Sequence, residues 1–417
     1  MARTKNGAGS ARSSVRHGSL RRSNAWLNAG KVLLTTVIVF ALSGIAVGAY
    51  AVLGLTQKLD TVELAPEDPS AVGAGQQTID GAFSILLVGS DSRQGQSIND
   101  GETGELNDVN LLLHVSEDHK SATVISFPRD LMLPIPSCPG PNGEEGYYPA
   151  MSEQQLNTTL MYGGLPCTVL TLEALTGMDI PYAGLVTFDG VIAMSNAIGG
   201  VEVCLAQPIV DPNTDLNLEA GTQKLKGKEA LQFLRTRYGV GDGSDKSRIS
   251  NQQVFMSAMV RQLKSADTLG NPMKVWNLAK AGIENMTLSK NMAEISFLQG
   301  LAGTVKDIDL SRVNFVQYPT GRHPYQSGRL TPDYASAQIL FDVLESGEAF
   351  TVTGTGTGVV DGDSGTDETT KADDTTTKPD SAEGGDTTKA DKPVELPDSI
   401  TGQGSDTQTC SAGRTIL

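Results

Sequence analysis

The chain has 417 residues, 39% of them hydrophobic and 19% charged, with a formal net charge of −16. This length allows one large domain of roughly 200–270 residues with shorter appendages. The acidic balance argues against a nucleic-acid-binding protein, which needs a positive face, so we expect any bound anion to meet a local cluster of arginines.

A basic arm and an apolar run open the chain. Residues 1–31 hold seven Lys and Arg and no acid, and the 24 residues 32–55 carry no charge. A helix of that length is about 36 Å long, enough to cross a hydrocarbon core of about 30 Å. Because the basic flank comes first, we predict a cytoplasmic arm, one transmembrane helix in the cell membrane and an extracytoplasmic main domain. A buried core helix or a cleaved signal peptide is the alternative, and the length disfavours both.

The rest of the chain divides by composition. Residues 56–81 are polar and contain Pro and Gly, which predicts a stalk, and periodic apolar sequence over residues 82–350 predicts the folded domain. Residues 351–417 are rich in Thr, Asp and Gly, with 13 acidic against 5 basic side chains. Such a segment buries too little apolar surface to offset its ordering entropy, so we predict that it is disordered.

The domain alternates strand-like and helix-like patterns. Three apolar runs predict buried strands, at Phe83–Val88, Val109–Val115 and Ala122–Phe127. Helical spacing follows at residues 168–176, 188–198, 227–234 and 249–263. This mixture predicts a layered α/β domain with a central sheet.

Familiar catalytic signatures are missing from the sequence. It has no Gly-x-Ser-x-Gly elbow and no P-loop, and its four histidines lack the spacing of metal ligands. Acidic and basic residues stand at predicted strand ends instead: Asp91 and Arg93 after the first strand, Asp108 before the second and Arg129 after the third. A stiff sheet can hold such residues toward solvent. Asp91 and Asp108 could hold Mg²⁺, although each could equally cap a turn.

More arginines follow in the second half of the domain. Arg235 and Arg237 are two residues apart, so in extended chain both would point to one face. Arg248 and Gln252 are i, i+4 neighbours on a predicted helix. One guanidinium group can donate two parallel hydrogen bonds to phosphate oxygens, so several arginines together suit a diphosphate. Any one of them alone is more often a solvated surface residue, and the hypothesis rests on their joint occurrence.

Four cysteines lie beyond the apolar run, at positions 138, 167, 204 and 410. An exported domain can hold disulfides, and four cysteines permit three full pairings. We favour Cys138–Cys167, which would tie together two loop-like segments near Pro and Gly turns. The alternative is four separate buried thiols.

Several of these segments, in this order, resemble the LytR–CpsA–Psr family of bacterial cell-envelope proteins. The likeness covers about residues 82–265. It includes GSDSR, SFPRDL, the segment from Asn157 to Gly163-Gly164, AIGGVEV, LKGKEALQFLRTR and DxxR followed by QQ. Cys138, Cys167 and the GDGSDKSR segment look like the actinobacterial branch. The chain departs from the family pattern in two places. Leu106-Asn107-Asp108-Val109 stands where the family often has Arg-Ser-Asp-Thr, and Asn251 stands where it often has an arginine.

The resemblance implies a three-layer α/β/α domain with a central mixed sheet and a hydrophobic pocket for a polyprenyl chain. It also implies a Mg²⁺-dependent phosphotransferase that moves a glycopolymer phosphate from a polyprenyl diphosphate carrier to peptidoglycan. A hydrolase using the same site, or a polyprenyl-phosphate-binding regulator without turnover, is the alternative.

The resemblance also assigns roles to individual residues. Asp91 and Asp108 would be the Mg²⁺ ligands and, with Arg129, the catalytic residues. The diphosphate would be bound by Arg93, Arg129, Arg235, Arg237, Arg248 and Gln252.

Overall fold

In the computed structural model of this chain, the structure describes residues 59–64, 81–93, 96–97, 104–140, 146–362 and 393–414. The basic arm and the predicted transmembrane segment, residues 1–31 and 32–55, lie outside the described residues. Within the described ranges, none of the helices combines the length and apolarity that a membrane crossing requires.

A nine-stranded mixed sheet forms the centre of the domain. Its strands in chain order are β1 (Asp60–Val62), β2 (Phe83–Ser90), β3 (Asn107–Val115), β4 (Ala122–Phe127), β7 (Tyr182–Val186), β12 (Met286–Ser289), β13 (Val313–Gln317), β16 (Phe350–Gly354) and β18 (Val394–Gly404). They lie side by side in the order β1-β12-β7-β2-β3-β4-β13-β18-β16. Strands β2, β3 and β4 are consecutive and antiparallel, so strands that are neighbours in the sequence also pair in the sheet.

Short strands outside this sheet build smaller ribbons. They are β5 (Met132–Ile135), β6 (Met151–Gln155), β8 (Val201–Leu205), β9 (Ile209–Asp211), β10 (Leu216–Leu218), β11 (Gly221–Leu225), β14 (Thr320–Arg322), β15 (Leu330–Pro332), β17 (Val359–Asp361) and β19 (Thr409–Ser411). Strands β11, β8, β19 and β17 form a four-stranded sheet in that order, whereas the others pair as two-stranded ribbons.

The α-helices of the described residues are α1 (Thr159–Thr176), α2 (Phe188–Ala197), α3 (Lys228–Arg235), α4 (Asp245–Lys264), α5 (Ala266–Leu269), α6 (Pro272–Asn285), α7 (Ile295–Asp307) and α8 (Tyr334–Ser346). The four predicted helical patterns fall within or against α1 to α4. Helix α4 begins four residues before its apolar pattern, because Ser244 caps it by accepting a hydrogen bond from Ser247 N.

Both faces of the central sheet are covered. On one face Leu86, Val88 and Leu112 pack in a core with residues of α1 and α8. On the other face Ile85 and Val124 pack in a second core that includes Phe297 of α7, with Met256 and Val260 of α4 against it. Alternation along each strand sends neighbouring residues to opposite cores, so the apolar runs read as fully buried strands. The expected mixed α/β fold with a central mixed sheet is confirmed.

The predicted stalk needs a correction. Residues 60–62 form β1, an edge strand that pairs in parallel with β12. A three-residue strand at a sheet edge is too short to show a period in the sequence. The boundary drawn at residue 82 therefore cuts off part of the sheet.

The predicted disordered tail needs a larger correction. Residues 351–362 and 393–414 are folded, and β18 lies inside the sheet between β13 and β16. Its Leu396 and Ile400 are buried in the first core. The Thr, Asp and Gly of residues 363–392, which lie outside the described residues, dominate the composition of the whole segment. That average hides the few apolar residues that order β18.

Two disulfides cross-link the described residues. Cys138 pairs with Cys167, the pairing favoured from the sequence, and Cys204 of β8 pairs with Cys410 of β19. Gly163 makes the first bridge possible, because a Cβ there would lie 2.8 Å from Cys167 Cβ and 2.9 Å from Cys138 Cβ. The Gly163-Gly164 pair of the sequence pattern also interrupts the helical backbone of α1 at this point.

Candidate functional site

Three strand ends meet at one edge of the central sheet. Because β2, β3 and β4 are antiparallel, the end of β2, the start of β3 and the end of β4 share that edge. Asp91 directly follows β2. Its N–H donates to Leu106 O at 3.0 Å, and its Oδ1 accepts from Leu106 N at 2.7 Å. The predicted Asp91 is thus fixed opposite the residues that precede β3.

A β-bulge sets the direction of Asp108. The register of β2 and β3 passes from Gly89–Val109 to Ser90–Asn107, which leaves Asp108 as the extra residue on β3. Bulges bend a strand and redirect a side chain, and they occur often beside active sites. The two predicted carboxylates therefore lie on neighbouring strands at one edge.

Asp108 binds two of the predicted arginines. Its Oδ1 accepts a hydrogen bond from Arg129 Nη1 at 2.7 Å, and its carbonyl accepts one from Arg248 Nη2 at 3.0 Å. Arg248 Nη1 also lies 3.8 Å from Asp108 Oδ2. Residues 108, 129 and 248, far apart in the sequence, are brought together as predicted partners of one site.

A buried acid completes this ion-pair cluster. Asp245 Oδ1 lies 2.7 Å from Arg248 Nη2 and 3.7 Å from Arg129 Nε. Asp245 is only 5% exposed, so it interacts with both arginines at low solvent screening. The sequence analysis included this aspartate only as the first residue of the DxxR element and gave it no role. Its spacing of three residues before Arg248 was the available signal.

The cluster keeps Arg129 charged. Burial opposes the charged form, but the attractions of Asp108, Asp245 and Asp130, with the hydrogen bond to Asp108, outweigh it and raise the pKa of Arg129. Among the described residues, the buried Nε groups of Arg129, Arg237 and Arg248 have no hydrogen-bond partner. Unpaired buried donors cost free energy, and anionic oxygens would offset that cost.

Arg93 and Arg235 meet at an aromatic ring. Their guanidinium carbons lie 4.8 Å and 4.6 Å from the ring centroid of Phe188, at the start of α2. Arg93 Nη1 also donates to the carbonyl of Asp91. Cation–π contacts of this kind orient a guanidinium without neutralising it. The sequence analysis missed Phe188, since an aromatic residue at a helix start carries no distinctive pattern.

Arg235 and Arg237, which the sequence analysis placed in extended chain, do not lie in an extended segment. Arg235 is the last residue of α3, Thr236 ends the helix with an extended backbone, and Arg237 follows in a bend. Gln252, predicted near the phosphate, donates from Nε2 to Leu234 O at 3.0 Å. The end of α3 is thereby tied to α4 one turn after Arg248.

A buried aspartate shapes the bend at Arg237. Asp211 Oδ2 accepts from Thr236 Oγ1 at 2.6 Å and from the N–H groups of Arg237 and Tyr238 at 3.2 Å each. Burial raises the pKa of Asp211, but these hydrogen bonds and that of Asn213 N outweigh it, so the pKa is lowered. Asp211 lies 26 residues before Arg237, and nothing in the local sequence links the two.

The carboxylates at the edge fit a hard cation in chemistry and number. Mg²⁺ is usually held by one or two carboxylates, with water and substrate phosphate oxygens completing the shell. Within the described part of the chain, no group of three or more His, Cys, Asp or Glu residues could form a metal site. The assignment of Asp91 and Asp108 as Mg²⁺ ligands stays a prediction, and Asp108 would share its charge between such an ion and Arg129.

An apolar face leads away from this edge. The half-buried Leu111 lies three residues after Asp108 on β3, and the half-buried Leu87 pairs with it from β2. Leu113 belongs to the same face, and Met256 and Val260 of α4 pack against the same core. The charged edge and an incompletely buried apolar surface thus adjoin each other.

A separate cavity lies at the other end of these strands. A cavity of about 740 Å³ opens at the opposite end of β2 and β3, lined by Phe83 and His114 among others. The charged residues that line it within the described chain are all acidic: Glu117, Asp118, Asp179, Asp342 and Glu345. Because an acidic lining repels phosphate, we place the anion site at the arginine edge and not in this cavity.

Comparisons with known proteins agree with the sequence resemblance. The model of the LytR_cpsA_psr family matches residues 50–337. Cell wall biosynthesis protein LcpA of Corynebacterium glutamicum is 32% identical over 63% of this chain and 54% of its own length. The polyisoprenyl-teichoic acid–peptidoglycan teichoic acid transferase TagT of Bacillus subtilis is 26% identical over 72% of this chain and 90% of its own. The match spans about half the length of the Corynebacterium relatives.

Solved structures share the fold. A LytR-Csp2A-Psr enzyme from Actinomyces oris superposes with a TM-score of 0.52 at 22% identity, covering 69% of this chain and 96% of that one. TagT bound to LIIa-WTA gives a TM-score of 0.50 at 21% identity, covering 68% and 98%. At these identities the likeness concerns the fold alone.

Proposed function

The chain belongs to the LytR–CpsA–Psr family, and on that premise we propose that it transfers a glycopolymer phosphate from a polyprenyl diphosphate carrier to peptidoglycan. The observation that carries the proposal is the ion-pair cluster of Asp108, Arg129, Asp245 and Arg248 beside an incompletely buried apolar face. A polyprenyl diphosphate has the matching form, since its charge is concentrated at one end and its chain is apolar.

The reaction exchanges one phosphorus–oxygen bond for another. A hydroxyl oxygen of peptidoglycan attacks the phosphorus that bears the sugar, and the bond from that phosphorus to the bridging oxygen breaks. Polyprenyl phosphate leaves with the bridging oxygen, and the hydroxyl proton passes to solvent water. Phosphoryl transfer depends mostly on positioning and charge stabilisation, and arginines supply both.

The arginines take different parts in this scheme. Arg129 and Arg248 are held in place by Asp108 and Asp245 before substrate arrives, so little ordering is needed on binding. Arg93 and Arg235, stacked on Phe188, would bind the outer oxygens of the diphosphate. Mg²⁺ held by Asp91 and Asp108 would neutralise part of the diphosphate charge.

The remaining parts of the proposal concern location and partners. The half-buried Leu87, Leu111 and Leu113 would take the first isoprene units of the carrier. The charge asymmetry around residues 32–55 supports a cell-membrane protein with its main domain outside. The named teichoic acid transferase activity of TagT, a relative, supports a cell-wall polymer as the donor group.

The test is turnover of a synthetic polyprenyl diphosphate-linked glycan by the full chain in detergent, with and without peptidoglycan and with and without Mg²⁺. We expect labelled glycan phosphate on peptidoglycan and release of polyprenyl phosphate only with acceptor present. Arg129→Ala should abolish transfer, whereas Arg312→Ala, an exposed arginine remote from the edge, should not. Equal release without acceptor would make the protein a hydrolase, and binding without release would make it a regulator.

A further inference from the structure

The end of the described chain pairs with the loop that follows Arg237. Gly241 N donates to Ala412 O at 3.2 Å, and Arg414 N donates to Gly239 O at 2.9 Å. Val240 and Gly413 form an antiparallel bridge between these bonds. Residues 239–241 connect Arg237 to helix α4, which carries Arg248, so residues 412–414 are the β-partner of that connection.

A side-chain relay joins the same segment to the other end of the loop. Ser411 Oγ donates to Asn251 Oδ1 at 2.7 Å, and Asn251 Nδ2 donates to Phe233 O at 2.8 Å. Both side chains are fully buried. Phe233 stands two residues before Arg235. The relay therefore holds the last turn of α3 against α4.

This terminal segment, residues 409–414, is itself firmly anchored. Strand β19 pairs with β8 and β17, and Cys410 is bonded to Cys204 of β8. Its fit beside Pro208 is tight, because a Cβ at Gly413 would lie 2.1 Å from Pro208 O. The anchor lets the segment impose a fixed position on the loop, and not merely follow it.

We propose that residues 409–414 are a positioning element for the anion site, which sets the spacing of Arg235, Arg237 and Arg248 through Asn251 and residues 239–241. The part of this inference that concerns polyprenyl diphosphate binding rests on the proposed function. The element lies beyond residues 50–337, the part matched by the family model. Its hydrogen bonds described above go to Asn251 and to the backbone of residues 239–241, so it acts through the backbone that carries the arginines.

Two variants separate positioning from general stability. Ser411→Ala removes the donor to Asn251, and a chain ending at Ser411 keeps β19 and the disulfide but loses the pairing with residues 239–241. Ser405→Ala is the matched control, since this buried serine four residues before the segment donates to Leu310 O at 2.7 Å, on η2 (Leu310–Arg312), away from the loop.

Three measurements on the full chain follow: amide hydrogen exchange at residues 237–248, the Kd for polyprenyl diphosphate, and the melting temperature. We expect both variants to speed exchange at residues 237–248 and to raise the Kd by about 3- to 10-fold, the size of one or two hydrogen bonds. The KM should rise more than kcat falls. The control should leave exchange in the loop and the Kd unchanged.

Two results decide the matter. Unchanged loop exchange and unchanged Kd in both variants, with a melting temperature lowered as in the control, would overturn the proposal and make the segment purely structural. Faster loop exchange in a protein whose wild type does not bind polyprenyl diphosphate would support the positioning role and overturn the proposed function.

Discussion

The charged sheet edge and the C-terminal strands are built in opposite ways. Asp91, Asp108 and Arg129 come from the ends of three consecutive strands, so each is placed by its own neighbours in sequence. Strands β18 and β19 come from far along the chain, yet each pairs with an element much earlier in the sequence, β18 with β13 and β19 with β8. The comparison teaches that the chemistry of this site is carried by local motifs, whereas its geometry also depends on a remote segment that has none.

The largest test of this difference removes the remote segment. A chain ending at Gly362 lacks β18 and β19, leaves one edge of β13 unpaired and removes Leu396 and Ile400 from the first core. We expect this chain to lose its cooperative thermal transition, because core burial, sheet pairing and the Cys204–Cys410 disulfide are lost together from a domain whose stability is usually about 5–15 kcal/mol. A cooperative melt by circular dichroism would show that the strands are accessory.

A single substitution on β18 tests the same dependence more gently. Leu396→Ala should lower the free energy of unfolding by about 2–5 kcal/mol, as for a leucine truncated in a packed core. Glu395→Ala, at the exposed position next to it, should change the free energy by about 0.5 kcal/mol or less. Equal effects in urea denaturation would mean that β18 is not packed as described.

Asp211 offers a test by pH. Its folded-state pKa is lowered, so its stabilisation is complete above the unfolded value of about 3.9 and is lost as pH falls through the lower folded pKa. Asp211→Asn should cost about 1.5–3 kcal/mol at neutral pH, the size of a hydrogen bond to a charged group, and should flatten the acid limb of the stability curve. Asp215→Asn, an exposed aspartate, should leave both unchanged. An unaltered acid limb in the Asp211 variant would remove this aspartate from the description of the loop.

The smallest effect on stability should come from the motif arginines. Arg235→Ala should weaken polyprenyl diphosphate binding by roughly 10- to 150-fold, the value of one charged hydrogen bond. Its melting temperature should change little, because the side chain is half-buried on a helix end. Arg235→Lys should restore binding only in part, since a point charge lacks the planar fork. The control is Lys228→Ala, an exposed cation on the same helix. Normal polyprenyl diphosphate binding by the Arg235→Ala variant would show that Arg235 does not bind the diphosphate.

Much of the fold could be predicted because its strands are long and buried on both faces. Ala122–Phe127 was bounded to the residue, and β2 and β3 were placed within two residues of their ends. Strands β1 and β18 could not be found, since one has three residues and the other stands in a segment of polar composition. Both strands are held in place by pairing with residues far away in the sequence, which local sequence patterns do not show.

The sequence selected several charged residues that the structure places close together. Of the predicted set, the structure brings Asp108, Arg129 and Arg248 into direct contact and joins Arg93 to Arg235 through Phe188. Their roles in binding remain predictions. Asp211 and Ser411 were missed because each acts on a loop more than 20 residues away, and sequence spacing shows no such contact.

The place of β18 has a consequence for biosynthesis. A ribosome makes β13 about 80 residues before β18, so during synthesis one edge of β13 stays open while the rest of the central sheet can already assemble. An unpaired interior edge is a template for pairing with other chains, and late non-local pairing slows folding. A chain in which β13 has formed and β18 has not is therefore the species most exposed to pairing with other chains.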